Sequence, residues 1–156
     1  MSEKLYPYVI FLPIGKKQSI LRAIFGSKVP IDILEFSIKQ GISQKIYQKN
    51  LINTLSYSNK TVIERLRALT DLGILKEDME KMEVEGRMVW VKYYVLSNLG
   101  KWFALLLAKE DALSKDEKLG IIRSVFKSYV EWIRRFSEKL GIDKKVLEEI
   151  FKKEMQ

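Results

Sequence analysis

Tyr47 to Leu75 reads YQKNLINTLSYSNKTVIERLRALTDLGIL, and the spacing of its apolar residues decides the fold. Leu51, Ile52 and Leu55 give a short helix starting at Ser43 or Tyr47, with Ile46 or Tyr47 as its first buried contact. Ser56-Tyr57-Ser58 is a turn, and the Ser58 hydroxyl is placed to accept from an orphan amide of the next helix. Val62, Leu66, Leu69 and Leu72 then recur at helical spacing, the buried stripe of a longer helix that Gly73 ends. A short helix, a tight turn and a longer helix therefore follow one another without a gap.

Working outward, the period changes at Ile74. Ile74, Leu75, Met79 and Met82 lead to Glu83-Val84-Glu85-Gly86-Arg87, where the glycine suits a hairpin tip. Met88 to Leu96 is rich in β-branched and aromatic residues, as a strand should be. Ser97 can cap a further helix, Asn98 to Lys109, buried through Leu99, Trp102, Phe103, Leu106 and Leu107. On the other side, Pro30 can open a helix whose apolar residues are Ile31, Ile33, Leu34 and Ile38 and which Gly41 stops. Helical spacing also begins near Gln18 and stops at Gly26. Tyr6 to Leu12, bracketed by Pro7 and Pro13, suits an edge strand or an arm.

The last third predicts a long helix from about Ser114 to Leu140, stopped by Gly141, and a shorter one after it. Leu119, Ile122, Phe126, Tyr129, Ile133, Phe136 and Leu140 alternate spacings of three and four, a heptad seam over about three heptads. Its aromatic positions are bulky for an isolated two-stranded coil. The seam either joins two copies of the chain or packs back on its own domain; we expect the former. The expected organisation is an arm or strand over 1–15, a main domain over 16–111, and a C-terminal helical dimerisation region over 112–156.

Composition excludes more than it adds. The 156 residues are 47% hydrophobic and 31% charged, the range of a soluble globular protein with one real core. The longest apolar runs are too short to cross a bilayer, and the N-terminus lacks a signal-peptide pattern, so the expected location is the cytoplasm and no membrane partner is expected. There is no Cys and no His. Disulfides, thiolate nucleophiles, imidazole bases and Cys/His zinc sites are therefore out of reach. The reading is of a protein that is not an enzyme and that needs no cofactor or metal.

Lys and Arg total 28 against 20 Asp and Glu, a net charge of +8 that favours polyanionic partners. The excess sits at the flanks: residues 112–141 hold seven basic and four acidic residues, whereas 74–96 hold four basic and five acidic. The acidic cluster of the hairpin, Glu77, Asp78, Glu80, Glu83 and Glu85, reads as a solvated face pairing across the strands with Lys81, Arg87 and Lys92 rather than as a cation site. Trp90, Tyr93, Tyr94, Trp102 and Phe103 fit core packing better than base stacking.

In this order the elements resemble the winged helix-turn-helix transcriptional regulators of the arsenic-repressor, multiple-antibiotic-resistance and PadR kind, abundant in archaea and bacteria. Leu51, Leu55, Ser58, Val62, Leu66, Leu69, Leu72 and Gly73 carry the helix-turn-helix pattern, and YYVLSNLGKW, Tyr93 to Trp102, is similar to the family's second wing strand and following helix. The likeness covers roughly Phe25 to Leu107. It implies a mainly α fold with a small β-hairpin wing, a C-terminal long helix for dimerisation, and double-stranded DNA as the partner of a homodimer.

Under that resemblance the exposed side of the Ser58 helix would read the major groove. Asn59 suits adenine, Arg67 guanine or a phosphate, Lys60 a phosphate, and Thr61 a hydroxyl contact or a thymine methyl. Glu64 lies on the same side. Ser58 and neighbouring amides suit a phosphate at the helix's positive end. Arg87 is the wing's one basic group at its tip, and Arg65 faces either the domain or the backbone. Two departures stand out: Ser56 where a glycine is usual, and the acidic wing. A pocket for a small apolar effector, of unnamed identity, is a further expectation between the domain and the C-terminal helices. The rival expectations are a winged-helix protein–protein assembly module and a nonspecific chromatin-type DNA-binding protein.

Overall fold

The computed structural model describes residues 26–109 and 111–156. The expected arm and the helix beginning near Gln18 lie outside the described residues. The rest is mostly helical with one small antiparallel sheet.

The first described helix, α1 (Val29–Gln40), opens on Pro30, whose fixed φ costs nothing where an amide would be orphaned anyway. It buries Ile31, Ile33 and Leu34. Ile46 and Tyr47 form a two-residue strand, β1 (Ile46–Tyr47), and not the start of a helix as their apolar character suggested; they pair with Tyr94 and Tyr93. The short helix α2 (Gln48–Thr54) follows directly, burying Leu51. The turn at Ser56 uses no left-handed residue, so its lack of glycine is harmless. Ser58 then caps α3 (Asn59–Asp71), which buries Val62, Leu66 and Leu69 as its spacing requires.

Strands β2 (Leu75–Val84) and β3 (Arg87–Leu96) form a hairpin in continuous register from Leu75↔Leu96 to Val84↔Arg87. Its two-residue turn is Glu85-Gly86, with φ of 53° and 78°. Two consecutive positive φ values are what a type I′ turn needs, and they match the right-handed strand twist. The sheet order is β1-β3-β2. Only the base of the hairpin touches the body. Residues 81–90 are all exposed, so the ribbon, roughly 33 Å long at ~3.3 Å per residue, projects from the domain.

Helix α4 (Asn98–Leu107) is joined to the end of α3 by the Ser97–Gly100 segment. Ser97 Oγ accepts from Gly100 N at 3.1 Å and donates toward Gly73 O at 2.5 Å and Ile74 O at 3.0 Å. A Cβ on Gly100 would lie 2.2 Å from Ile74 O. Serine and glycine are thus both required there, one to cap and clamp, the other to let the two backbones touch. Phe103, Leu99 and Ala104 of α4 complete a core shared with α1, α3 and the sheet base. Each of the large side chains, Phe103 and Leu99 among them, contributes about 1.5–3 kcal/mol by leaving water.

The long helix α5 (Lys115–Leu140) begins with a capping box, Ser114 and Glu117 bonding each other's backbone at 3.1 and 3.0 Å. Gly141 ends it in the left-handed conformation, and α6 (Lys144–Met155) follows. Ile121 and Val125 are the α5 residues that pack on the core, together with Leu113. Among the described residues no helix is long and apolar enough to cross a membrane.

Candidate nucleic-acid interface

The polar flank of α3 is open to solvent. Asn59, Lys60, Glu64, Arg67, Ala68 and Asp71 are exposed, while Thr61, Ile63 and Arg65 are half-buried. The flank is held by its ends. Tyr57, in the preceding turn, donates to Asp32 Oδ2 of α1 at 2.5 Å. Ser58 Oγ accepts from Thr61 N at 3.1 Å and donates to Thr61 Oγ1 at 2.8 Å. The Ser58 and Thr61 hydroxyls are thereby engaged with each other. What remains for an anion at this helix start is the pair of leading amides, Asn59 and Lys60, which have no partner within the helix. Lys60 and Glu64 lie 3.9 Å apart but are largely exposed, so water screens the pair.

Arg67 leans toward the foot of the ribbon. Its charge acts on the Tyr94 phenol, which is pushed up to about 12, first by burial and then by the nearby Glu77 carboxylate; Arg67 works against both. Tyr94 OH also donates to Gln48 of α2 at 3.3 Å. One tyrosine of the hairpin is therefore tied to α2, with the exposed Arg67 of α3 near enough for its charge to be felt.

The ribbon is braced by a cluster that spacing alone does not suggest. Lys45 Nζ lies 2.7 Å from Glu80 Oε2, and the Tyr47 hydroxyl donates to the other oxygen of the same carboxylate. Lys45 also sits 4.7 Å above the Tyr93 ring, which tilts against Tyr47 at 6.1 Å. The hydrogen bonds from Lys45 and then Tyr47 hold the Glu80 carboxyl below its usual value of 4.5. The bond to Glu80 raises both Lys45 and Tyr47. Further along, Glu77 pairs with Lys92 at 3.4 Å and Asp78 accepts from Tyr93 at 3.3 Å.

The expected cross-strand pairing is therefore met by Lys92 but not by Lys81, which lies 5.2 Å over the Trp90 ring. Among the described residues no three carboxylates gather so as to hold a metal ion. Arg87 lies exposed beside the turn, opposite Val84, with Glu83 and Glu85 close in sequence. Trp90, assigned to the core from its alternation, is instead 62% exposed, because the ribbon beyond Val91 has no body to pack on. Tyr94 and Phe103 are buried as expected.

The heptad seam divides. Leu119, Ile122, Phe126, Phe136 and Leu140 are exposed, whereas Tyr129 and Ile133 are half-buried. Most of the seam is left open, with Phe126 against Phe151 of α6, and it is Ile121 and Val125, on the adjoining side of α5, that join the core. A cavity of about 270 Å³ lies between the α1–β1 loop, α4 and α5. Ser43, Asn98, Lys101, Asp116 and Glu117 line it with Ile42 and Ile121, so it is more polar than the apolar effector pocket foreseen.

No protein-family model matches this chain, and no curated protein is significantly similar to it.

Proposed function

We propose that the chain is a winged helix-turn-helix protein that binds double-stranded DNA as a homodimer and regulates transcription. The observation that carries this reading is the exposed polar flank of α3, standing next to a two-stranded ribbon in an α1-β1-α2-α3-β2-β3 order with β1 paired to β3. A helix so presented has the width to enter a major groove. Asn59, Lys60, Glu64 and Arg67 are its base- and phosphate-facing groups, and Thr61 contributes its methyl. Ser58 acts through the cap it makes. Arg87 is the ribbon's contribution at its tip. The α5 seam joins the two copies, which fixes two half-sites about one helical turn apart.

Selection of fragments from a random duplex library, followed by salt titration on the winner, tests this. Contact with about six phosphates gives a log–log salt slope of about −5. Arg67→Ala should relax base preference, and Lys60→Ala should weaken all sequences alike. No enriched site with shallow salt dependence would overturn the reading; steep salt dependence without a preferred site would leave a nonspecific chromatin-type binder.

A second reading has its own observation. Met79, Met82, Val84, Met88, Val89 and Trp90 are all exposed on a ribbon that also carries five carboxylates. Apolar and acidic groups together suit a protein surface better than phosphate, which favours an assembly module. Substituting Trp90 and Met88 by Ser leaves DNA affinity intact under the first reading and abolishes partner capture under the second.

A further inference from the structure

We infer that α6 is half of the joint between two copies of the chain: the α5–α6 pairs of two protomers close on each other as a two-fold four-helix bundle. This rests on the dimeric reading above and assigns a role to Ile142, Val146, Ile150, Phe151 and Met155.

Helix α6 buries no residue in its own chain. Its apolar side chains still fall on one side, at 146, 147, 150, 151 and 155, and only Leu147 is half-buried. The Phe126 and Phe151 rings meet at 5.7 Å, yet each stays nearly half-exposed. Two apolar faces packed squarely would hide both rings. The helices therefore touch along an edge and leave their faces open.

On α5, at about 100° per residue, the strip through Ile122, Phe136 and Leu140 lies between the core-packed Ile121 and Val125 and the α6-facing Phe126. This strip is the floor of a trough with α6 as one wall.

Size identifies the occupant. Between Leu119 and Met155 eleven large apolar side chains are 43–72% exposed. At roughly 150–200 Å² per large side chain, about half of it open, they offer ~800–1,100 Å². The largest apolar patch on a typical monomer is about 300–600 Å², and a stable dimer needs about 800 Å² from each partner. A two-fold joint requires a face that complements itself, and heptad spacing fits a helix of the same pitch. The stacked Trp132–Phe136 pair and the Phe126–Phe151 pair are too bulky for two strands, and α6 supplies the extra width.

Sedimentation of the full chain at micromolar concentration tests this, comparing wild type with Val146→Asp/Ile150→Asp. The expected result is a wild-type dimer and a monomeric variant with unchanged helicity, because neither residue serves the core. Ile150→Ala/Met155→Ala, which adds no charge, should weaken association by about tenfold or more. A dimer of undiminished affinity in both variants overturns the role of α6. A monomeric wild type overturns the joint and the dimeric reading together. Titrating the Asp variant with a single half-site duplex separates this from DNA binding: retained half-site affinity with loss of two-site binding supports the joint, and a wild-type dimer that ignores duplex DNA sinks only the DNA reading.

Discussion

Gly100 is the residue whose replacement should be most instructive, because its two effects have opposite signs and the structure ranks them. Alanine is the better helix former by up to about 1 kcal/mol, and Gly100 lies in the first turn of α4. A Cβ there would meet Ile74 O at 2.2 Å, Ile74 C at 3.2 Å and Leu96 Cδ2 at 3.1 Å. Two of those atoms are backbone, so relief means moving the α3–β2 link by about 1 Å, an overpacking cost of ~1–3 kcal/mol. That move also stretches the Ser97 N to Ile74 O bond, 3.0 Å long, worth a further ~1 kcal/mol. Gly100→Ala should therefore lose about 1–3 kcal/mol net, a fall in Tm of ~3–10 °C for a chain of this size. Gly120 is the control. A Cβ there meets nothing within 4 Å, so Gly120→Ala on α5 should gain ~0.5–1 kcal/mol. Urea unfolding followed by circular dichroism at one fixed protein concentration reads both. A Gly100→Ala protein as stable as wild type would refute the clamp between α4 and the end of α3, and a Gly120→Ala protein less stable would refute the reading of Gly120 as an open helix position.

Ser97→Ala removes the cap of α4 and the bonds to Gly73 O and Ile74 O, and should lower stability by about 1–2 kcal/mol in the same unfolding assay. Glu85→Asn relieves an unfavourable left-handed glutamate in the hairpin turn and should raise stability by ~0.5–1 kcal/mol. Because the folded-state pKa of Glu80 is lowered, its contribution is whole above about pH 4.5 and fades as pH falls through the folded value. The stability gap between wild type and Glu80→Gln should accordingly narrow on acidification, in unfolding curves taken between about pH 6 and pH 3. The same brace weakens at the alkaline end, since Lys45 and Tyr47 are raised and their stabilisation is lost as pH climbs through their folded values.

Capping chemistry made the helices legible. Ser58, Ser97, Ser114 and Gly141 each stand where a terminus falls, because side-chain caps are local and one residue suffices to announce them. The hairpin was legible from Gly86 and the β-branched run of β3. What escaped was non-local or too short to have a period. Ile46 and Tyr47 become a strand only because Tyr93 and Tyr94 lie beside them. Lys45 and Glu80 are far apart in sequence, and nothing near either one hints at the other. Trp90 was misplaced because alternation marks a strand without saying how far the body extends beneath it. On α5 the apolar arc is wide enough to hold both Ile121 with Val125 and the heptad seam, so spacing alone left the body-facing side undecided. The exposure of Asn59, Lys60, Glu64 and Arg67 was foreseen, but not the half-burial of Thr61, its engagement with Ser58, or the nearness of Arg67 to Tyr94.

The three tryptophans fall in three separate parts of the chain: Trp90 on the ribbon beneath Lys81, Trp102 on α4, and Trp132 stacked on Phe136 in α5. Replacing any two by phenylalanine leaves a native fluorophore that reports on one place alone. With no histidine to titrate near neutrality, such optical signals have no imidazole protonation to contend with between about pH 6 and 8. The molecule thus arrives already labelled for testing the proposed ligand capture at the ribbon and the proposed self-association at the far end, apart from unfolding at the centre.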